Sequence, residues 1–242
     1  MLSCYRRKVK KAPIHILAID TATNSGGAAL SRNGEVIAAL MVKVPLQYSE
    51  KILDLVDFLL DQHKLKLEEM DCFAVSTGPG SFTGVRIGIA TVKGFCQGLN
   101  KPVVGISTLE ALAYRFCWAH SPVAPVIDAR REQIYGAVFG FDGSQIELEQ
   151  KEQVSSPAQW VKEITGQECL FVGDGAQLYK DTIVATHPEA WVLETDNRIL
   201  EALCQLGDQR FRAAETQSAQ ELKANYIRPS DARREETRKQ DP

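Results

Sequence analysis

The segment STGPGSFTGVRIGIA, residues 76–90, sets four glycines and a proline between an apolar run and a helical pattern. Such a loop either cradles a phosphate or lets two backbones approach closely. It fails the P-loop test, because Val85-Arg86 follow Gly84 where a lysine and a hydroxyl residue are needed, and its GxGxxxG spacing departs from the dinucleotide fingerprint. Ser81 and Thr83 can cap the helix behind it, and free amides there attract anions, but every strand-to-helix turn offers as much. Other chemistry is thinner. The chain has no HExxH, no GxSxG and no cysteine flanked by a base. Asp20 and Asp128 make a pair of carboxylates on paper, each closing an apolar run.

The elements that must position these residues read as a repeat. IHILAID (14–20), a turn, and GAALSRNGEVIAALMVKV with its Asn33-Gly34 hairpin signal predict three antiparallel strands. Ser49 caps a helix to about residue 63, with Ile52, Leu55, Val56 and Leu59 on one face. DCFAVST (71–77) is a buried strand, a helix starts near Thr83, VVGIS is a strand, and Ser107-Thr-Leu-Glu110 is a capping box. HSPVAP (120–125) marks a boundary, beyond which three strands recur with a turn at Asp142-Gly143. Ser156-Pro157 opens a helix containing Trp160. CLFVGDGA enters a turn at Gly173 and Gly175, WVLET is a short strand, and a helix over about 197–215 ends the second unit. The expected organisation is a basic tail over 1–13, a first lobe over 14–119, a reduced second lobe over 120–228 and a polar tail over 229–242. A repeated β-β-β-α-β-α order with Asp20 and Asp128 in matching places predicts the two-lobed α/β fold of the actin-like ATPases (ASKHA fold). There such aspartates face a nucleotide between the lobes.

The helix behind the glycine loop has two stripes. At 100° per residue, Gly84, Gly88, Thr91 and Gly98 share one; Val85, Ile89, Val92, Cys96 and Leu99 share the next, with Arg86, Lys93 and Gln97 opposite. Each internal glycine costs about 0.8–1.0 kcal/mol relative to alanine, which close packing of another backbone recovers. That neighbour is either the 49–63 helix of the same lobe or a second protein.

Bulk properties exclude several classes. With 242 residues, 44% hydrophobic and 24% charged, the chain is an ordinary globular sequence. A net charge of -3 leaves no electrostatic footprint for nucleic acid or an anionic membrane. Six scattered cysteines without CxxC argue against zinc or a disulfide framework and predict a cytoplasmic location. No apolar run reaches the roughly 18 residues of a membrane span. The segment MLSCYRRKVKKAP does not read as a secretory signal, and its five basic residues are either a solvated tail or a nucleic-acid arm.

ILAIDTATNSGGAAL, GPGSFTGVRIGIA, GISTLEALA, VIDARREQIYGAVF, FVGDGA and YIRPSDA, in this order from about Ile14 to Ala232, resemble the bacterial TsaB (YeaZ) family. The resemblance implies a non-catalytic paralogue of TsaD. Such a chain works with TsaD and the ATPase TsaE to form N6-threonylcarbamoyladenosine at position 37 of tRNAs that read ANN codons. It implies an intersubunit helix bundle built from the 49–63 and 83–99 helices, and so favours the second protein as the neighbour of the small stripe. Ser49, Ile52 and Val56 of the first helix, with Gly84, Val85, Arg86, Gly88, Ile89, Thr91 and Val92 of the second, are then the partner-binding residues. Arg86 puts a cation near a positive helix end, so an acid of the partner or of the same chain is expected beside it. Asp20, Thr21, Asp128, Gly173 and Gly175 become a vestigial site with weak ATP or ADP binding, and ATP and metal sit on the partner subunits. Many family members have His-Ser-Glu where Tyr48-Ser49-Glu50 stands here, and Leu53 follows; the metal-binding histidine pair of catalytic relatives has no counterpart. No catalytic residue, metal site or membrane contact is expected, and tRNA is reached through the complex. A homodimer is the alternative state of the lone chain. The alternative activity is an independent ATP-dependent kinase or ATPase, against which VIDARRE lacks a phosphate-approaching glycine.

Overall fold

The structure, a computed structural model, describes residues 12–43, 48–143, 145–164 and 168–228. Of the two expected tails, only Ala12 and Pro13 fall within that range, and the side chains of residues 48–50, Ser49 included, lie outside it. Strands β1 (His15–Asp20), β2 (Gly26–Arg32), β3 (Glu35–Val42), β4 (Cys72–Ser76) and β5 (Val103–Ile106) form a sheet in the order β3-β2-β1-β4-β5. Strands β6 (Val123–Asp128), β7 (Ile134–Asp142), β8 (Gln145–Ser155), β9 (Cys169–Val172) and β10 (Ala190–Val192) form the second, in the order β10-β9-β6-β7-β8. The two orders map onto each other strand for strand, including an antiparallel meander and two parallel additions. This is the duplicated ASKHA-type architecture, and Asp20 and Asp128 close the corresponding strands β1 and β6. Asn33 and Gly34, both left-handed with φ 54° and 82°, make the tight turn that keeps β2 and β3 antiparallel.

Helices α1 (Tyr48–His63), α2 (Phe82–Leu99), α3 (Thr108–Tyr114), α4 (Pro157–Glu163), α5 (Asp174–Leu178), α6 (Lys180–Thr186) and α7 (Leu200–Arg212) complete the layers. Period-2 alternation sorts them. In β1, Leu17 and Ile19 face the core shared with α1 and α2, whereas Ile16 and Ala18 face the opposite core with α3 and α7. That second core also takes Val123, Ile127, Phe139 and Val172 from the other sheet, so one apolar cluster runs between the sheets. A third packs Trp160, Val161 and Ile183 of the outer helices on the far face. None of the described helices is long and apolar enough to cross a membrane.

The sequence assigns the 197–215 helix to the second lobe, and the structure corrects this. As α7 it lies on the first sheet, where a Cβ on Gly207 would stand 2.9 Å from Ala74 Cβ and 3.3 Å from Ile16 Cγ2. Leu200, Leu203 and Cys204 are fully buried. An apolar helix face records how much surface it covers but not which sheet supplies the cover. Burial of each such leucine stabilises the fold by roughly 1.5–3 kcal/mol, so α7 contributes to both lobes at once. Leu203→Ala is therefore expected to cost about 2–5 kcal/mol. Denaturant melts should show it, and hydrogen exchange should place the loosened amides first in β1 and β4 of the N-terminal sheet.

Candidate functional site

The glycine loop closes on the chain's own β1–β2 turn. A Cβ at Gly84 would overlap the Thr21 carbonyl oxygen, one at Gly80 would overlap that of Ala22, and one at Gly88 would lie 2.5 Å from Thr21 Oγ1. Thr21 Oγ1 donates to the Gly84 carbonyl over 2.7 Å, and the Ser81 amide donates to the Ala22 carbonyl over 2.9 Å. Ser81 caps α2 by accepting from the Gly84 amide. The neighbour that requires Gly84 and Gly88 is thus the turn at residue 21, neither α1 nor a second protein. Val85, Ile89 and Val92 are core residues with exposures of 3%, 8% and 0%, and Ile52 and Val56 are buried as deeply. These seven positions, placed at an interface by the sequence reading, face inward. A helical wheel fixes the angle between stripes but not the direction in which the wheel is turned.

The outward face of α2 is a different stripe. Thr83, Ala90, Gly94 and Gly98 are exposed, Ile87 and Thr91 are half-buried, and a Cβ on Gly94 or Gly98 would meet no heavy atom within 4 Å. On α1, Leu53 and Phe58 are exposed at 48% and 54%. Arg86 also faces outward, and within this chain the described groups beside it are aromatic rather than the expected acid. Its guanidinium lies 3.7 Å from the Phe82 ring centroid, and Nε donates to the Tyr226 hydroxyl over 3.0 Å. A cation on an aromatic face needs no countercharge to be held near a helix N-terminus.

Between the lobes lies a cavity of about 450 Å³, lined by Thr23, Asn24, Ser81 and Thr83 on one side and Asp128, Arg130, Tyr135, Asp174 and Asn197 on the other. Its size suits a small molecule. Of the expected vestigial residues, only Asp128 lines it. The Asp128 carboxylate accepts the Arg130 amide at 2.9 Å and pairs with that guanidinium at 3.1 Å, while its own amide donates to Asp174 at 3.1 Å. Asp20 is sealed. It accepts from the Ala22 amide (2.9 Å), the Thr23 hydroxyl (2.5 Å) and the Ser76 hydroxyl (2.6 Å) at zero exposure. Burial pushes its pKa above the ordinary 3.8 despite those donors. A carboxylate with both oxygens occupied inside the core does not fit the role of contacting a nucleotide or its metal. Gly173 and Gly175 are packing glycines, the second with a would-be Cβ 2.8 Å from the Ile127 carbonyl carbon.

Residues outside the expected set also gather here. Arg130, Arg131 and Glu132 take left-handed φ values of 61°, 55° and 57°, each costing about 1–2 kcal/mol for a residue with a Cβ. Arg228 offsets this: Nη1 donates to the Ala129 carbonyl at 2.9 Å and Nη2 donates to the Gln133 side chain. Its position two residues from Tyr226 in the RPSDA segment is the available signal, but a motif gives no destination.

A protein-family model described as TsaD, tRNA N6-adenosine threonylcarbamoyltransferase, matches residues 43–233. The tRNA threonylcarbamoyladenosine biosynthesis protein TsaB of Escherichia coli (strain K12) is 31% identical over 226 residues, 89% of this chain and 95% of that protein. TsaB of Bacillus subtilis (strain 168) is 31% identical over 170 residues, 69% of this chain and 74% of that one. The solved structure of YeaZ from Pseudomonas aeruginosa matches with a TM-score of 0.75 at 26% identity, covering 88% of this chain and 99% of its own.

Two outcomes are expected from the geometry. Because the folded state holds the Asp20 proton to higher pH than the unfolded chain does, this site's contribution to stability is greatest below the ordinary pKa of 3.8. It is lost as pH rises through the raised value. Asp20→Asn should therefore gain stability relative to the native chain as pH rises above the ordinary carboxylate pKa, read as a flatter melting-temperature profile; an unchanged profile refutes the assignment. Gly84→Ala should lower stability by about 3 kcal/mol, the upper end of ordinary overpacking, through overlap with a backbone oxygen. Gly94→Ala should instead add about 0.8–1.0 kcal/mol of helix propensity, both measured by denaturant melts.

Proposed function

The chain belongs to the family of the tRNA threonylcarbamoyladenosine biosynthesis protein TsaB, and from that membership we propose that it acts in the same tRNA modification as a non-catalytic subunit. Its obligatory partner on this reading is a TsaD-like transferase, with a TsaE-like ATPase and the tRNA joining through the assembled complex. The observation that carries this is the outer face of α2, whose exposed Ala90, Gly94 and Gly98 leave room for another backbone, with Leu53 and Phe58 also exposed on α1. Small residues let helices approach to the short interaxial distances of tight packing. Arg86 stands beside that face with its guanidinium over the Phe82 ring and its terminal nitrogens available to a carboxylate of the partner. The partner-binding set is accordingly redrawn as Leu53, Phe58, Thr83, Arg86, Ala90 and Gly94.

ATP and metal act on the partner subunits in this proposal. The sealed carboxylate of Asp20 supports that division, because the residue best placed by topology to serve a nucleotide is used inside the core. Any ATP or ADP taken into the interlobe cavity is held weakly, by Asn24, Thr83 and Arg130 rather than by a phosphate loop.

Mixing the chain with the TsaD-like protein of its host and measuring mass by light scattering tests the proposal. A stable heteromeric species is expected, with no ATP turnover by the lone chain and turnover only once the TsaE-like ATPase is added. Ala90→Arg should weaken association by roughly 5- to 150-fold, the equivalent of 1–3 kcal/mol of overpacking, and leave the melting temperature unchanged. Arg86→Glu should weaken it through charge reversal. Full-strength association by both variants, or ATP hydrolysis by the lone chain that Asp20→Ala abolishes, would refute the reading.

A further inference from the structure

The last described residues leave α7, pass along the edge of the first sheet and reach the β6–β7 turn, which lines the interlobe cavity. Gln217 pairs with Val103 on the open edge of the first sheet, its amide and carbonyl bonded at 2.8 and 3.0 Å. Asn225 donates its amide to the Thr77 carbonyl at 2.8 Å, and its carbonyl would stand 3.1 Å from a Cβ on Gly78. The Asn225 side chain donates to Glu152 of β8 at 2.5 Å, and the same carboxylate accepts from Ser107 at the start of α3. Tyr226 then stacks on Phe82 at 5.1 Å between centroids and accepts from Arg86, both in the first turns of α2. Two residues on, Arg228 donates to Ala129 and Gln133 of the β6–β7 turn and lies over the Tyr135 ring at 5.8 Å. Phe82 and Arg86 belong to the first lobe; Ala129, Gln133 and Glu152 belong to the second.

We propose that residues 217–228 form a strap that couples the N-terminal end of α2 to the 129–133 turn beside the interlobe cavity. Tyr226 and Arg228 are separated by one residue, so neither anchor can shift far without moving the other. The turn it holds contains three left-handed residues that carry side chains, which relax once their clamp is released. A change in how Phe82 and Arg86 sit on α2 therefore reaches Ala129 and Gln133, and the reverse holds by reciprocity. The functional side of this inference rests on the reading that the outer face of α2 binds the catalytic subunit: docking there would reset the turn that lines the cavity.

Hydrogen–deuterium exchange on the full chain tests the strap without any partner. In Tyr226→Ala, peptides covering 129–134 should exchange at least about fivefold faster, the low end of ordinary site-to-site coupling, although Tyr226 itself packs on Phe82 and Arg86. In Arg228→Ala, peptides covering 82–86 should loosen in turn. Tyr226→Phe keeps the stacking and removes only the bond from Arg86, so a smaller rise at 129–134 is expected, and it serves as the readout if the alanine variant loosens strands β1 and β9 as well. Changes confined to the segment that each altered side chain touches would overturn the strap. In a second arm the TsaD-like protein is added. Protection at 129–134 should increase in the native chain and not in Tyr226→Ala; binding that leaves 129–134 unchanged overturns the functional side. If the added protein does not bind, the proposed partner face fails, and the lone-chain arm still decides the strap.

Discussion

The fold turns on the contact between Thr21 and the first two turns of α2. Gly84 and Gly88 bring that helix so close to the β1–β2 turn that the threonine carbonyl and hydroxyl occupy the space of their missing side chains. A helix seated on a backbone rather than on side chains has little rotational freedom, because a small twist would drive Val85 or Ile89 out of the core. The contact therefore decides which residues α2 shows to solvent. It also draws the glycine loop over the turn that ends in Ser25, so that Asp20 is enclosed with the hydroxyls of Thr23 and Ser76. One close approach thus orients the exposed face, closes the N-terminal carboxylate away from ligands, and shapes one wall of the interlobe cavity.

The second organising feature is the layer of α3 and α7 between the sheets. In a duplicated fold each half could keep its own core, yet here a single cluster takes residues from β1 and β4 on one side and from β6, β7 and β9 on the other. The polar links take the same route. Glu110 of α3 pairs with Arg210 of α7, and the Tyr114 hydroxyl accepts from Gln209 at 2.6 Å. Burial raises the pKa of Glu110 while Arg210 opposes it, the expected balance for a carboxylate taken from water with a matched cation beside it. The lobes are joined through packing as well as through the covalent crossing near residue 120.

Much of this architecture is legible in the sequence because it depends on local rules. Alternation in IHILAID specifies a strand buried on both faces, Asn33-Gly34 specifies a turn only left-handed residues can make, and the recurrence of a meander with an aspartate at the end of its first strand reveals the duplication. The features that cannot be read depend on rotation or on distance along the chain. The two stripes of α2 separate on the helical wheel, but nothing local says that the one containing Gly84 and Gly88 turns inward. Arg86 is expected to need an acid, because the sequence shows its helix position and not the ring of Tyr226, 140 residues away. The home of α7 escapes the sequence for the same reason: its amphipathic face fits either sheet, and only the shared core chooses.

Asp20 and Asp128 show how a duplicated framework can diverge in chemistry while its topology stays fixed. Both end the first strand of a meander, and both accept from a backbone amide two residues on. The difference lies in the turn that succeeds each aspartate and the loop that meets it. After Asp20, Thr23 supplies a hydroxyl, Ser76 of β4 supplies another, and the glycine loop covers them. After Asp128, a left-handed turn carries Arg130 outward, and the matching loop from β9 contributes Asp174 rather than a cover. The first carboxylate is consequently a core group that favours its proton, and the second is an ion-paired group at a cavity wall. The two aspartates, matched in topology, therefore do not face one common space. The constraint that encloses Asp20 also turns Ala90, Gly94 and Gly98 of α2 toward solvent.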